Sequence, residues 1–155
     1  MKHFSIRELS RSETASRKGI NNTPNSAVVS ALTALIDNVL DPLREKWGAP
    51  IIITSGYRCP ALNRVVGGAV NSQHIRGEAA DIRTISDSPE DNMKLLKCLL
   101  ESGLIYDQVI AENIDGKGRP DWIHVSYTTK RANRMKKTTM KKISGKTAYI
   151  PGIKL

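Results

Sequence analysis

The 155-residue chain is poor in the residues that mark several common classes. It has only two cysteines, Cys59 and Cys98, and neither belongs to a CxxC pair. That excludes a disulfide framework and a cysteine-based zinc knuckle; two free thiols, with Cys98 buried on a helix, are the simpler reading, and a bridge between them stays open. Repeats and low-complexity tracts are absent. No apolar run is expected to approach the roughly 20 residues of a membrane helix. The opening MKHFSIRELSRSE has neither an apolar signal region nor a small-residue cleavage site. Synthesis in the cytoplasm is therefore expected. There is a single Phe, and Tyr149 is the only aromatic beyond Tyr127, so a base-stacking surface for nucleic acid is poorly supplied.

Acidic residues are missing from one region. The net charge is +9, yet residues 1–127 balance 15 Lys and Arg against 15 Asp and Glu. The last 28 residues hold nine cations and no acid. The excess charge thus sits wholly at the C-terminal end, where it suits a polyanion or simple solubility. We divide the chain at 1–134 and a basic C-terminal extension, 135–155, that is not a separate domain.

The patterning predicts alternating helices and short strands. Ser5-Ile-Arg-Glu8 has capping-box spacing, and Arg11 to Asn25 reads as loop. From Val28 to Trp47 apolar residues recur every three or four positions, predicting a long helix that ends at Gly48 and is kinked near Asp41 by Pro42. Strands are expected at Pro50–Thr54, Glu78–Arg83, Tyr106–Glu112 and Trp122–Tyr127, and helices at Pro60–Val66 and from Ser88-Pro89 to Gly103. The fold class is α+β, with a small, largely antiparallel sheet and helices packed on one side.

Hydrolysis at a metal needs about three protein ligands and an open position, a carboxylate for the water proton, and a cation where negative charge develops. Three segments offer such residues: Ser55-Gly-Tyr-Arg58, Ser72 to Asp81, and Asp121-Trp-Ile-His124. In the strand around Asp81, Ala80 and Ile82 share one face and Asp81 takes the other. In Trp122–Tyr127, His124 lies opposite Ile123 and Val125. Asp121 reaches the same side only if the chain bends at Pro120.

Ser72, His74, Gly77, Ala79 and Asp81 match SxHxxGxAxD, and Asp121 stands three before His124. This resembles the zinc D-Ala-D-Ala carboxypeptidase family, within the lysostaphin, D-Ala-D-Ala peptidase and sonic hedgehog group. SGYR, VLDPLREKWG and YDQVIAE look like the same family, and the likeness runs from about Phe4 to Arg134. It implies one Zn2+ held by His74, Asp81 and His124, with Asp121 as general base. Arg58 would contact the substrate carbonyl or carboxylate, and Ser72 would shape the site or touch substrate. Gln73 and Arg76 match no signature position. Gly118-Arg119-Pro120 stands where some relatives carry a further histidine, and His3 has no metal spacing.

The resemblance implies a monomeric peptidase of peptidoglycan, a D-Ala-D-Ala carboxypeptidase or an endopeptidase of phage-lysin type. Its site of action would be the cell wall, which the basic extension could contact. A binding module that keeps the zinc fold without catalysis is the alternative; a tail-driven nucleic-acid binder is less well supported.

Overall fold

The computed structural model describes residues 1–155. Helix α1 spans Ile6–Ser10, and Ser5 caps it by accepting the Glu8 amide. A second short helix, α2 (Glu13–Lys18), lies where loop was expected. Ser12 caps its start and Gly19 ends it in the left-handed conformation. Only Ala15 of α2 is buried, so the segment carries no apolar periodicity to betray it.

The long helix forms as α3 (Ser26–Leu35) and α4 (Asp41–Trp47), joined by a π-helical turn over Ile36–Leu40. Pro42 has no N–H to give to the preceding turn. The chain accommodates it by widening that turn rather than breaking, and Gly48 closes the helix as expected. By length and composition Ser26–Trp47 could cross a membrane, against the expectation from the apolar runs. Here Leu32, Leu35, Ile36, Val39, Leu40 and Leu43 are fully buried in the core.

The remaining elements are β1 (Ile51–Ser55), α5 (Pro60–Val65), β2 (Ala79–Thr84), α6 (Pro89–Glu101), β3 (Gln108–Glu112), β4 (Trp122–Ser126), β5 (Lys136–Ile143) and β6 (Lys146–Pro151). They build one six-stranded sheet in the order β1-β2-β4-β3-β5-β6, antiparallel except where β5 runs parallel to β3. The expected α+β class and mainly antiparallel sheet are observed. One face, with Ala80, Ile82, Val109, Ala111, Ile123 and Val125, joins the helices in a single core of 21 buried residues. The other face is free to line a site.

The C-terminal segment is part of this sheet. Its strands β5 and β6 form a hairpin in the register Thr138↔Pro151 to Ile143↔Lys146. The segment leading into β5 is held by Asp107, just before β3, whose side chain is fully buried yet charged. Asp107 accepts from Arg131 Nη1 at 2.6 Å, Arg134 Nη2 at 2.7 Å and Gln73 Nε2 at 3.1 Å. Burial opposes its ionisation, but the two guanidiniums prevail and hold it well below the usual carboxylate range. Both cysteines are free thiols, and Cys98 is only partly buried.

Asp107→Asn leaves two arginines facing a neutral group. Both guanidiniums are nearly half exposed and stay hydrated, so the loss is that of charge-assisted hydrogen bonds, about 1.5–3 kcal/mol, and urea unfolding of the variant should show a loss of that order. Because the folded-state pKa is depressed, this contribution is present above the unfolded value of about 3.9. It fades as pH falls below that value through the folded one, so the gap between wild type and variant should close in acid.

Candidate metal centre

Strands β2 and β4 place Asp81 directly opposite His124. Residues directly opposite in an antiparallel pair project to the same side of the sheet, here the side away from the helices. His124 Nδ1 lies 3.2 Å from Asp81 Oδ1. The third group arrives from a 3-10 turn, Gln73–Arg76, that leads into β2. Ser72 Oγ caps this turn by accepting the His74 amide at 3.2 Å. Gly77 ends it at φ +71, where a Cβ would stand 2.9 Å from the Val28 carbonyl oxygen. The glycine is therefore required for the turn to sit against α3.

His74 is 2% exposed. Its Nδ1 is 2.7 Å from the Gly56 carbonyl oxygen. A carbonyl only accepts, so Nδ1 carries the proton and Nε2 presents its lone pair. That Nε2 lies 3.3 Å from Asp81 Oδ1. A lone pair and a carboxylate oxygen at this separation repel unless a proton or a metal cation lies between them. The ligand atoms of His74, Asp81 and His124 all lie within 4.8 Å of one another. Two imidazoles and one carboxylate at such spacing, with the outer nitrogen of His74 fixed by a backbone carbonyl, form a donor set that suits zinc. Burial by itself would raise the Asp81 pKa, but His74 and His124 outweigh it and keep the group ionised.

Gly56 carries a second constraint. A Cβ there would stand 2.1 Å from the Leu9 carbonyl oxygen, to which the Tyr57 amide donates at 2.6 Å. The Ser55-Gly-Tyr-Arg58 loop is thus clamped between α1 and the His74 turn, and Arg58 N donates to the His74 carbonyl at 3.1 Å. The Arg58 guanidinium is held by neutral groups, Asn63 Oδ1 and Ser55 Oγ at 3.1 Å and Ser72 Oγ at 3.4 Å. Burial lowers its pKa and the charge of Asp81 opposes that fall. It forms no ion pair, so its charge is available to a ligand.

These groups line a cavity of about 800 Å³ above the free face of the sheet. Arg58, Ser72, His74, Asp81 and His124 are brought together there, but Asp121 is not among its lining residues. Asp121 N donates to the Glu112 carbonyl at 3.0 Å, and Asn92 Nδ2 of α6 holds the Asp121 carbonyl at 2.7 Å. The Asp121 side chain is exposed and its carboxylate accepts from Asn113. His3 lies elsewhere, against Glu45.

The cavity also contains Glu112, to which sequence reasoning gave no role. The β3–β4 register pairs Ile110 with His124 and Glu112 with Trp122, so Glu112 shares their face. Strand alternation within YDQVIAE could have shown that Glu112 and Ile110 lie together, but not which strand lies beside them. Burial, reinforced by the charge of Asp81 and opposed by His124, pushes the Glu112 carboxyl up to about 7. Gln73 and Arg76 line the cavity too, as do Lys136 and Tyr149 from the hairpin.

Residues 2–126 match the Peptidase M15 family. The chain belongs to that family. Its members are zinc D-Ala-D-Ala carboxypeptidase-like peptidases, which accords with a His-Asp-His cluster. The match includes all three candidate ligands and stops before β5, leaving the hairpin outside it. No curated protein matches the chain closely enough to add a relative.

Replacing His74, Asp81 or His124 with Ala should abolish stoichiometric zinc retention on dialysis, measured by elemental analysis. Each loss should exceed the roughly 10–100-fold typical of removing an outer-shell partner. A His74→Ala, Asp81→Ala protein that keeps one zinc would overturn the ligand set.

Proposed function

We propose that this M15 family member is a zinc-dependent peptidase that hydrolyses peptide bonds of bacterial peptidoglycan. The observation that carries the reading is the convergence of three donor groups in a cavity that the unpaired Arg58 guanidinium also lines. When bound, zinc supplies Lewis-acid polarisation of a carbonyl and brings the pKa of water from about 15.7 toward roughly 7.

The chain's own residues supply the rest. His74, Asp81 and His124 hold the ion. Arg58, fixed from three sides by neutral acceptors, presents a guanidinium that meets the oxyanion or a substrate carboxylate. Such a preorganised donor needs no reorientation as charge develops. Ser72 takes part indirectly, since its hydroxyl both caps the His74 turn and accepts from Arg58.

The charge of the cavity supports the substrate class. Arg58 and Lys136 line it without an ion pair, and Arg76, Arg131 and Arg134 line it while paired to Glu78 and Asp107. Stem peptides of peptidoglycan carry several free carboxylates, which suits such walls. Carboxypeptidase and endopeptidase action differ in how far substrate continues past the cut bond. The cavity extends from the three donor groups to Lys136 and Tyr149 of the hairpin, and we favour an endopeptidase or lysin-type cut. The basic hairpin would then contact anionic wall polymer, at a site of action in the cell wall.

Digestion of purified peptidoglycan, with mass analysis of released fragments, tests this reading. Zinc-loaded protein should release peptide fragments, and a chelator should stop the release. Absence of chelator-sensitive fragments from every wall chemotype would favour a non-catalytic binding module instead. Arg58→Ala should lower turnover by about 10²–10³-fold, the usual effect of losing one oxyanion donor, while zinc content stays the same.

A further inference from the structure

We propose that Glu112, rather than Asp121, is the general base of the reaction. The assignment rests on the peptidase reading above. A general base must come within hydrogen-bond reach, about 2.6–3.2 Å, of the proton it takes, directly or through one water. Three observations place Glu112 where that can happen and Asp121 where it cannot.

The first is register. His124 pairs with Ile110, and Glu112 is the next residue of β3 on the same face. Diagonal neighbours of this kind stand roughly 7–8 Å apart, within reach of long side chains. A glutamate there can extend toward the His74, Asp81 and His124 cluster and still leave room for a water. Asp121 lies just before the start of β4 and outside the cavity.

The second is partnership. Glu112 is 8% exposed, yet no hydrogen bond or ion pair engages its carboxylate. Its oxygens face the cavity instead of protein donors, and holding a carboxylate at so low an exposure without a partner is costly. Stability alone would not place one there, and such exceptions concentrate at functional sites. The other buried acids in the neighbourhood are satisfied. Asp107 is held by two arginines, and Glu78 by Arg76, Lys130 and Thr128.

The third is what holds Asp121. Its carboxylate accepts from Asn113, and its carbonyl accepts from Asn92, which is fully buried. Those contacts close the β3–β4 connection, a structural task that leaves the side chain in solvent.

A Glu112 carboxylate oxygen accepts a proton from the attacking water as its oxygen bonds to the peptide carbonyl carbon. Glu112 then gives that proton to the amide nitrogen as the C–N bond breaks. The amine leaves, and the carboxylate is restored without any change in redox state.

The test compares Glu112→Gln, Glu112→Asp and Asp121→Asn, each assayed for zinc content, affinity for an uncleaved stem-peptide analogue, thermal unfolding and turnover. Glu112→Gln should bind one zinc, bind the analogue within threefold of wild type, and unfold no earlier than wild type, since it removes an unpaired buried charge. Its turnover should fall at least a hundredfold, at the lower end of general-base effects. Glu112→Asp should recover part of that rate, and Asp121→Asn should stay within about fivefold of wild type. The assignment is overturned if Glu112→Gln turns over within threefold of wild type, or if it loses zinc or fold and Glu112→Asp does the same. A hundredfold loss in Asp121→Asn with zinc retained also overturns it. Wild-type protein that binds zinc and cleaves nothing overturns the peptidase reading itself, and this assignment with it.

Discussion

The hydrogen bond between His74 Nδ1 and the Gly56 carbonyl, 2.7 Å long, ties the metal centre to the fold. It decides which imidazole nitrogen holds the proton and thereby aims a lone pair at Asp81. Much else must be in place for it to form. Gly56 can present its carbonyl only because, lacking a side chain, it fits against the backbone of Leu9. The His74 turn reaches it only because Gly77 fits against α3. The first helix, the long helix and the SGYR loop thus all bear on the orientation of one ring. The two faces of the sheet divide the remaining work, with core on one side and chemistry on the other.

That division explains how much was legible in the sequence. Asp81 and His124 could each be assigned a face, because Ala80, Ile82, Ile123 and Val125 flank them with apolar residues. Strand alternation is a local property and survives without knowledge of neighbours. Which strand lies beside which is not local. The place of Glu112 in the cavity depends on the β3–β4 register, and Asp121 lies outside the cavity, where its backbone bonds to Glu112 and Asn92. A signature three residues before a histidine carries spacing but not direction.

The C-terminal segment is the other case. Its composition, rich in lysine and free of acid, gives no periodicity strong enough to override a reading as solvated chain. Its strands pair because Asp107 seats Arg131 and Arg134 just before β3 and so delivers the chain into register with that strand. The helix α2 went unseen for a related reason, since caps at Ser12 and Gly19 set it while only one of its side chains enters the core.

The sheet order leaves two open edges, β1 and β6. An open edge is a row of unpaired backbone groups that invites another chain to join it. The first edge is short and apolar, and α1 packs beside it. The second cannot hide under a helix, because the hairpin lies beyond the helical layer. Its guard is composition: Lys146 opens β6, Pro151 closes it, and Lys141 and Lys142 stand on the strand behind. Two copies approaching edge to edge would bring like charges together. The concentration of positive charge at this end thus also works against growth of the sheet past its sixth strand.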